Sequence, residues 1–146
     1  MDDKVAQLKR PESVLVVVYT RGGDVLMMER THPKGFWQSV TGSLQWDESV
    51  QHAAKRELRE ETGLMSGGLI DLKKSTRFRI RPPWQQRYAK EHKWNQEHWF
   101  ALALPQRRMI HLNGEEHRQY RWLPWQEAMR QASSHTNRNC IQYIFS

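Results

Sequence analysis

The sequence has a single cysteine, Cys140, among 146 residues. One thiol closes no intrachain disulfide and builds no thiolate zinc cluster, so the fold has to stand on its core. Long apolar runs are also missing. None exceeds the six residues of Val14 to Tyr19, far short of the roughly 20 that span a bilayer. Met1-Asp2-Asp3-Lys4 is followed by no apolar stretch of the signal-peptide kind, which makes a soluble cytoplasmic chain without a membrane partner the expectation. There is no His-Glu-x-x-His pair and no glycine loop ending in Gly-Lys-Ser/Thr, so zinc-protease and phosphate-loop chemistry are excluded. Repeats, low-complexity tracts and Gly/Ser-rich linkers are absent too, and residues 1–146 are read as one domain. Acidic residues are few: 16 against 23 Lys and Arg, a formal charge of +7. That balance favours anionic partners, and nucleotides, phosphorylated metabolites and nucleic acid all qualify.

What is present is enough for a packed core, with 38% hydrophobic and 27% charged residues. Val14 to Tyr19 is β-branched and runs into Arg21-Gly22-Gly23-Asp24, a strand followed by a turn, with Val25 to Arg30 returning as a hairpin partner. Trp37 to Thr41 reads as a short third strand ending at Gly42. Leu69 to Ile80 and Glu97 to Leu104 read as further strands, the second stopped by Pro105. Ser49 to Thr62 is the clearest helix, with Ser49 as N-cap and Gly63 where a left-handed C-cap belongs. Pro124 opens a short helix through Ala132, and a last helix runs from near Thr136 to Phe145. Interspersed strands and helices make the class α/β or α+β.

The helix after Ser49 carries the chemistry. At about 100° per residue, Val50, Ala53, Ala54 and Leu58 form one apolar stripe, while Lys55 and Arg59 face the other way. Glu57 and Glu61 fall on the azimuth of the stripe, and Glu60 lies beside it. The bland reading is a solvated acidic helix end, its glutamates paired with Arg56 or Arg59. Continuity with the apolar stripe argues against it. Clustered carboxylates leaving water either hold protons or surround a cation. Oxygen ligands without Cys or a His pair suit a hard ion, Mg²⁺ or Mn²⁺.

The wider pattern is Gly42, five residues, Glu48, seven residues, then Arg56-Glu57-Leu58-Arg59-Glu60-Glu61-Thr62-Gly63-Leu64. It resembles the box of the Nudix hydrolases, residues 42–64, at all nine fixed positions. The resemblance implies a mixed β-sheet sandwiched between helices and hydrolysis of a diphosphate linkage. It implies that Glu57, Glu60 and Glu61 bind divalent metal, that Gly42 allows a tight loop beside it, and that Arg56 and Glu48 pair internally. Diphosphate hydrolysis needs charge neutralised on the phosphoryl oxygens and a water in line with the leaving group. Glu57 or Glu60 is the candidate to take the water's proton. Asp47, before Glu48, departs from the glycine common there.

Outside the box, the chain resembles the bacterial branch of that family that converts dihydroneopterin triphosphate to the monophosphate and pyrophosphate in folate synthesis. The residues are Lys9-Arg10-Pro11, Phe36 to Ser43, Glu97 to Pro105, Glu116-His117 with Tyr120 and Trp122, and Thr136-Asn137-Arg138. This implies Glu116 as a further metal ligand, and Lys9, Arg30, Thr41, Phe78 and Thr136 as residues lining the pocket for a small triphosphate. From residue type alone, Phe78 fits core filling, Arg30 a surface arginine, and Glu116 an exposed turn acid with Glu115 as competitor. The alternatives within the family are a nucleoside triphosphate diphosphatase and a dinucleoside polyphosphate hydrolase. Arg77, Arg79 and Arg81 alternate along a strand, and the last alternative gains only if that face lines the cleft. Seven tryptophans and the basic charge also admit a non-catalytic nucleic-acid module. A pure binder would need none of Glu48, Arg56, Glu57, Glu60 and Glu61 together. Oligomeric state leaves no mark in this sequence.

Overall fold

The β-branched run becomes β1 (Glu12–Thr20), the central strand of the computed structural model, which describes residues 8–82 and 84–146. After it come β2 (Asp24–Arg30), β3 (Trp37–Gln38), β4 (Val40–Ser43), α1 (Val50–Thr62) and β5 (Leu69–Arg79). A 3₁₀ turn at Trp84–Arg87 leads to β6 (Trp94–Leu104), β7 (His117–Pro124), α2 (Trp125–Gln131) and α3 (His135–Phe145). Seven strands form one mixed sheet. β1 lies parallel to β6 along its whole length, from Glu12 opposite Gln96 to Thr20 opposite Leu104, and β5 pairs antiparallel on the far side of β6.

The other edge of β1 is divided. β4 pairs with Ser13 to Val16, whereas β2 meets β1 only where Tyr19 faces Val25. The expected hairpin of Val25 to Arg30 on β1 is therefore confined to its turn. β2 spends its hydrogen bonds on β3 and on β7, from Asp24 opposite Pro124 to Arg30 opposite His117. β7 was not foreseen, because His117 to Leu123 shows no clean alternation of apolar and polar side chains, and every residue after His117 is at least half-buried or exposed. Pro124 ends that strand and precedes the first turn of α2 rather than occupying it.

Alternation along β1 and β6 sends Val14, Val16, Val18, Phe100 and Leu102 to one face, against Ala53, Ala54 and Leu58 of α1. Leu15, Val17, Val25 and Met27 go to the other, against Ala128, Ala132, Cys140 and Ile141 of α2 and α3. The sheet is thus sandwiched between helices, as the resemblance implied. Cys140 is fully buried, and burial pushes its thiol pKa up, which keeps it protonated as a core residue. α1 has the predicted ends: the Ser49 hydroxyl accepts from the His52 N–H at 3.1 Å, and Gly63, at φ +76°, donates to the Arg59 carbonyl.

Candidate active site

β4 ends at Ser43, and the chain loops back to α1 through Glu48. The Arg56 guanidinium clasps the Glu48 carboxylate with two parallel bonds, Nε to Oε2 at 2.7 Å and Nη2 to Oε1 at 2.8 Å. Its Nη2 also donates to the Ser43 carbonyl at 3.1 Å, and its Nη1 to Glu57 Oε1 at 2.7 Å. One planar cation therefore ties strand, loop and helix together. Glu48 accepts further bonds from the Gln45 N–H and from His52 Nδ1. The Arg56 guanidinium beside it, first among these causes, holds the Glu48 carboxyl down at about 2. Both partners are mostly buried, with side-chain exposures of 12% and 3%. The internal ion pair expected of Glu48 and Arg56 is present.

On the next turn, Glu61 is 2% exposed, and both of its carboxylate oxygens are buried without a hydrogen-bond donor. Burial, then the neighbouring Glu57 and Glu116, raise its pKa well above the usual carboxylate range. The backbone of Gly42 passes so close that a Cβ there would overlap the Glu57 carboxyl. His117, fully buried, stands opposite, with Nδ1 3.8 Å from Glu61 Oε1. Gln38 Nε2 lies 3.0 Å from His117 Nε2. An amide nitrogen only donates, so that ring nitrogen accepts and the imidazole proton sits on Nδ1. Burial, with Arg30 adding to it, lowers the His117 pKa to about 4, and the ring is neutral at pH 7. It does not neutralise Glu61.

A divalent cation fits this arrangement. The unsatisfied Glu61 oxygens and the adjacent Glu57 carboxyl are hard oxygen donors whose repulsion a cation would relieve. Among the described residues, no three carboxylate, imidazole or thiol groups close a cage by themselves. That matches an ion that takes one or two protein carboxylates and completes its shell with water and phosphate oxygens. Glu60 stands apart: its side chain is 49% exposed and points to Arg56 Nη1 at 3.3 Å.

Glu57 and Gly42 open onto a cleft of about 740 Å³ in the wedge where β1 and β2 part. Lys9, Arg30 and Arg87 line it, as do Glu57, Glu115 and Glu116. Burial and the charge of Arg87 push the Lys9 ammonium below its usual pKa, and burial lowers that of Arg30. Glu116, not Glu115, is the carboxylate these cations and Glu61 feel. Thr41 lines the cleft and donates its hydroxyl to the Val14 carbonyl at 2.8 Å. Phe78 lines it as well, half-buried. Thr136 does not: it is 2% exposed beneath the wall, and its neighbours Ser134, His135 and Asn137 form the surface. Of the basic strand, Arg79 and Arg81 reach the cleft, while the guanidiniums of Arg77 and Arg79 lie 5.4 and 5.9 Å from the Trp94 ring centroid.

Sequence reasoning missed several liners. Gln38, Asn95, Glu97, Asn137 and Tyr88 all face the cleft. Asn95 and Glu97 left a readable trace, since they are polar residues on the inward phase of a strand that continues with Trp99 and Ala101. Gln38 and His117 left none, because their pairing depends on β2 bringing β3 and β7 to its two edges.

A NUDIX domain model matches residues 9–144, and the chain belongs to the Nudix family. Individual relatives are similar over nearly all of it. Dihydroneopterin triphosphate diphosphatase of Escherichia coli K12 is 40% identical across 97% of this chain and 95% of its own length. The protein of the same name from Haemophilus influenzae is 36% identical across 96% and 91%. The solved structure of the E. coli dihydroneopterin triphosphate pyrophosphohydrolase superposes with a TM-score of 0.89 at 38% identity, covering 95% of this chain and 99% of that one.

Proposed function

We propose that this chain hydrolyses dihydroneopterin triphosphate to dihydroneopterin monophosphate and pyrophosphate. The observation that carries the reading is the cleft itself. Three cations, Lys9, Arg30 and Arg87, line it together with the carboxylates of Glu57 and Glu116, and Lys9 and Arg30 both feel the charge of Glu116. That charge pattern suits a triphosphate, and relatives 36–40% identical bear the name of this diphosphatase.

Glu57 and Glu61 would hold a divalent cation, with Glu116 completing the set from β7's approach. Magnesium is the proposed ion, with manganese as the alternative of the same ligand chemistry. When bound, it supplies charge neutralisation at the phosphoryl oxygens and acidifies the attacking water. Lys9, Arg30 and Arg87 hold the polyphosphate in register against that end. Of the two candidate bases, Glu57 borders the cleft and Glu60 is turned out to Arg56, so Glu57 takes the water's proton. Arg56 fixes Glu57 Oε1, while Glu48 fixes Arg56. Water adds to phosphorus as the P–O–P bond breaks, and the proton leaves with the carboxylate. A triphosphate carries too much charge to cross a bilayer unaided, which favours the cytoplasm as the compartment for this reaction.

The test is kcat/KM with Mg²⁺ on dihydroneopterin triphosphate beside the common nucleoside triphosphates and a dinucleoside tetraphosphate, with product analysis for pyrophosphate against phosphate. A preference of about 100-fold for the pterin, roughly 2.7 kcal/mol in the transition state, is expected. Preference for a nucleotide would sink the substrate reading. Arg79 and Arg81 at the cleft rim favour the dinucleoside polyphosphate as the second candidate.

A further inference from the structure

The cleft has a polar floor on β6 that hydrolysis does not use. Alternation along β6 puts Asn95 and Glu97 on one face, and both border the cleft although they are only 0% and 5% exposed. Phe78 on β5 stands opposite Asn95, and Ser13 on β1 stands opposite Glu97. Both of these line the cleft too. Asn95 Nδ2 donates to Ser13 Oγ at 2.7 Å, which fixes the amide and leaves Oδ1 buried with no donor. Trp99 Nε1 donates to Glu97 Oε1 at 3.1 Å and anchors the carboxylate. The floor therefore presents acceptors: a carboxylate and, two residues away on the same strand face, an orphaned carbonyl.

An acceptor buried with no donor, as Asn95 Oδ1 is, is costly, and a ligand that supplies N–H groups to this floor offsets that cost. The chemistry that does so is a ring edge carrying two adjacent donors. A 2-amino-4-oxo pyrimidine ring offers a ring N–H beside an exocyclic NH₂, and a carboxylate accepts both in parallel. Adenine alternates donor and acceptor along the equivalent edge and leaves the carboxylate half unmatched. We infer that Glu97, assisted by Asn95 Oδ1, is the specificity-determining residue that reads the 2-amino-4-oxo edge of the substrate ring, with Phe78 beside the ring face. This rests on the reading of the cleft as a site for a ring-bearing triphosphate. It makes guanine, which shares that edge with pterins, the natural competitor.

The experiment measures GTP and ITP as competitive inhibitors of the best substrate found, on the wild type and on Glu97→Gln. The two nucleotides differ only in the exocyclic amino group. Wild type is expected to bind GTP about tenfold or more tightly than ITP, and Glu97→Gln to bring the ratio toward one, with the loss for dihydroneopterin triphosphate mainly in KM. Equal inhibition by GTP and ITP on the wild type, or no inhibition by either at millimolar concentration, overturns the assignment without needing a folded variant. A ratio that survives Glu97→Gln in a variant with an intact melting transition overturns it as well. Failure of the pterin preference with a strong GTP/ITP ratio would remove only the named substrate and leave the edge reader standing.

Discussion

At the scale of single residues, the site is defined by two carboxylates in opposite circumstances. Glu48 is fully satisfied by Arg56, Gln45 and His52, whereas Glu61 is buried with nothing donating to it. Replacing Glu61 or Glu57 with glutamine removes repulsion or desolvation from the metal-free protein, so thermal midpoints should hold or rise while kcat falls on the order of 10²-fold or more. Glu60→Gln, turned out toward Arg56, should lose less than either. Steady-state kinetics beside thermal melts decide this, and near-normal turnover by Glu57→Gln would remove it from the mechanism. Glu48 makes a prediction about acid. Because its folded pKa is depressed from 4.5 to about 2, its stabilisation is whole above the unfolded value and drains away as pH falls toward 2. Glu48→Gln should begin roughly 3 kcal/mol less stable at neutral pH and show a shallower decline between pH 5 and 2 in denaturant titrations. A decline as steep as the wild type's would show that another group sets the acid limb.

At the scale of elements, β4 and α1 work as a pair, with Gly42 the point of closest approach. A methyl at Gly42 meets the end of the Glu57 side chain rather than backbone, so Gly42→Ala should fold and yet displace the carboxyl. The expected result is a melt within a few degrees of wild type together with at least tenfold weaker activation by Mg²⁺ in a metal titration. Retained Mg²⁺ affinity would mean that Glu57 relocates freely. This element was legible because its signals are local: Ser49, Gly63 and the 3.6-residue stripe all lie within one helix length. The pairing of β1 with β6 was not, since Glu12 and Gln96 are brought together from distant parts of the chain and parallel register has no turn to announce it. β7 hid for a different reason. Tyr120 and Trp122 pack against one core while Arg118 and Arg121 stay exposed, and Asn113-Gly114 reads as a turn instead. Thr136, second residue of a helix that starts at His135, is buried, and the flanking side chains border the cleft.

At the scale of the whole molecule, the formal net charge is +7, and Lys9, Arg30, Arg79, Arg81 and Arg87 all border one opening. Such a field steers a polyanion and is screened by salt. Raising NaCl from about 20 to 300 mM should lower kcat/KM several-fold through KM, with kcat moving far less. A salt-insensitive KM would confine the role of these cations to direct contact. The divided edge of β1 has a consequence of its own. Because β4 claims one half of that edge and brings Gly42 against Glu57, the hydrolytic carboxylates sit on α1 beside β4, while the ring-reading floor lies on β6 across β1. Appetite and bite are thereby uncoupled: a descendant of this chain can change its diet by exchanging two side chains on β6 and leave the cutting helix as it was.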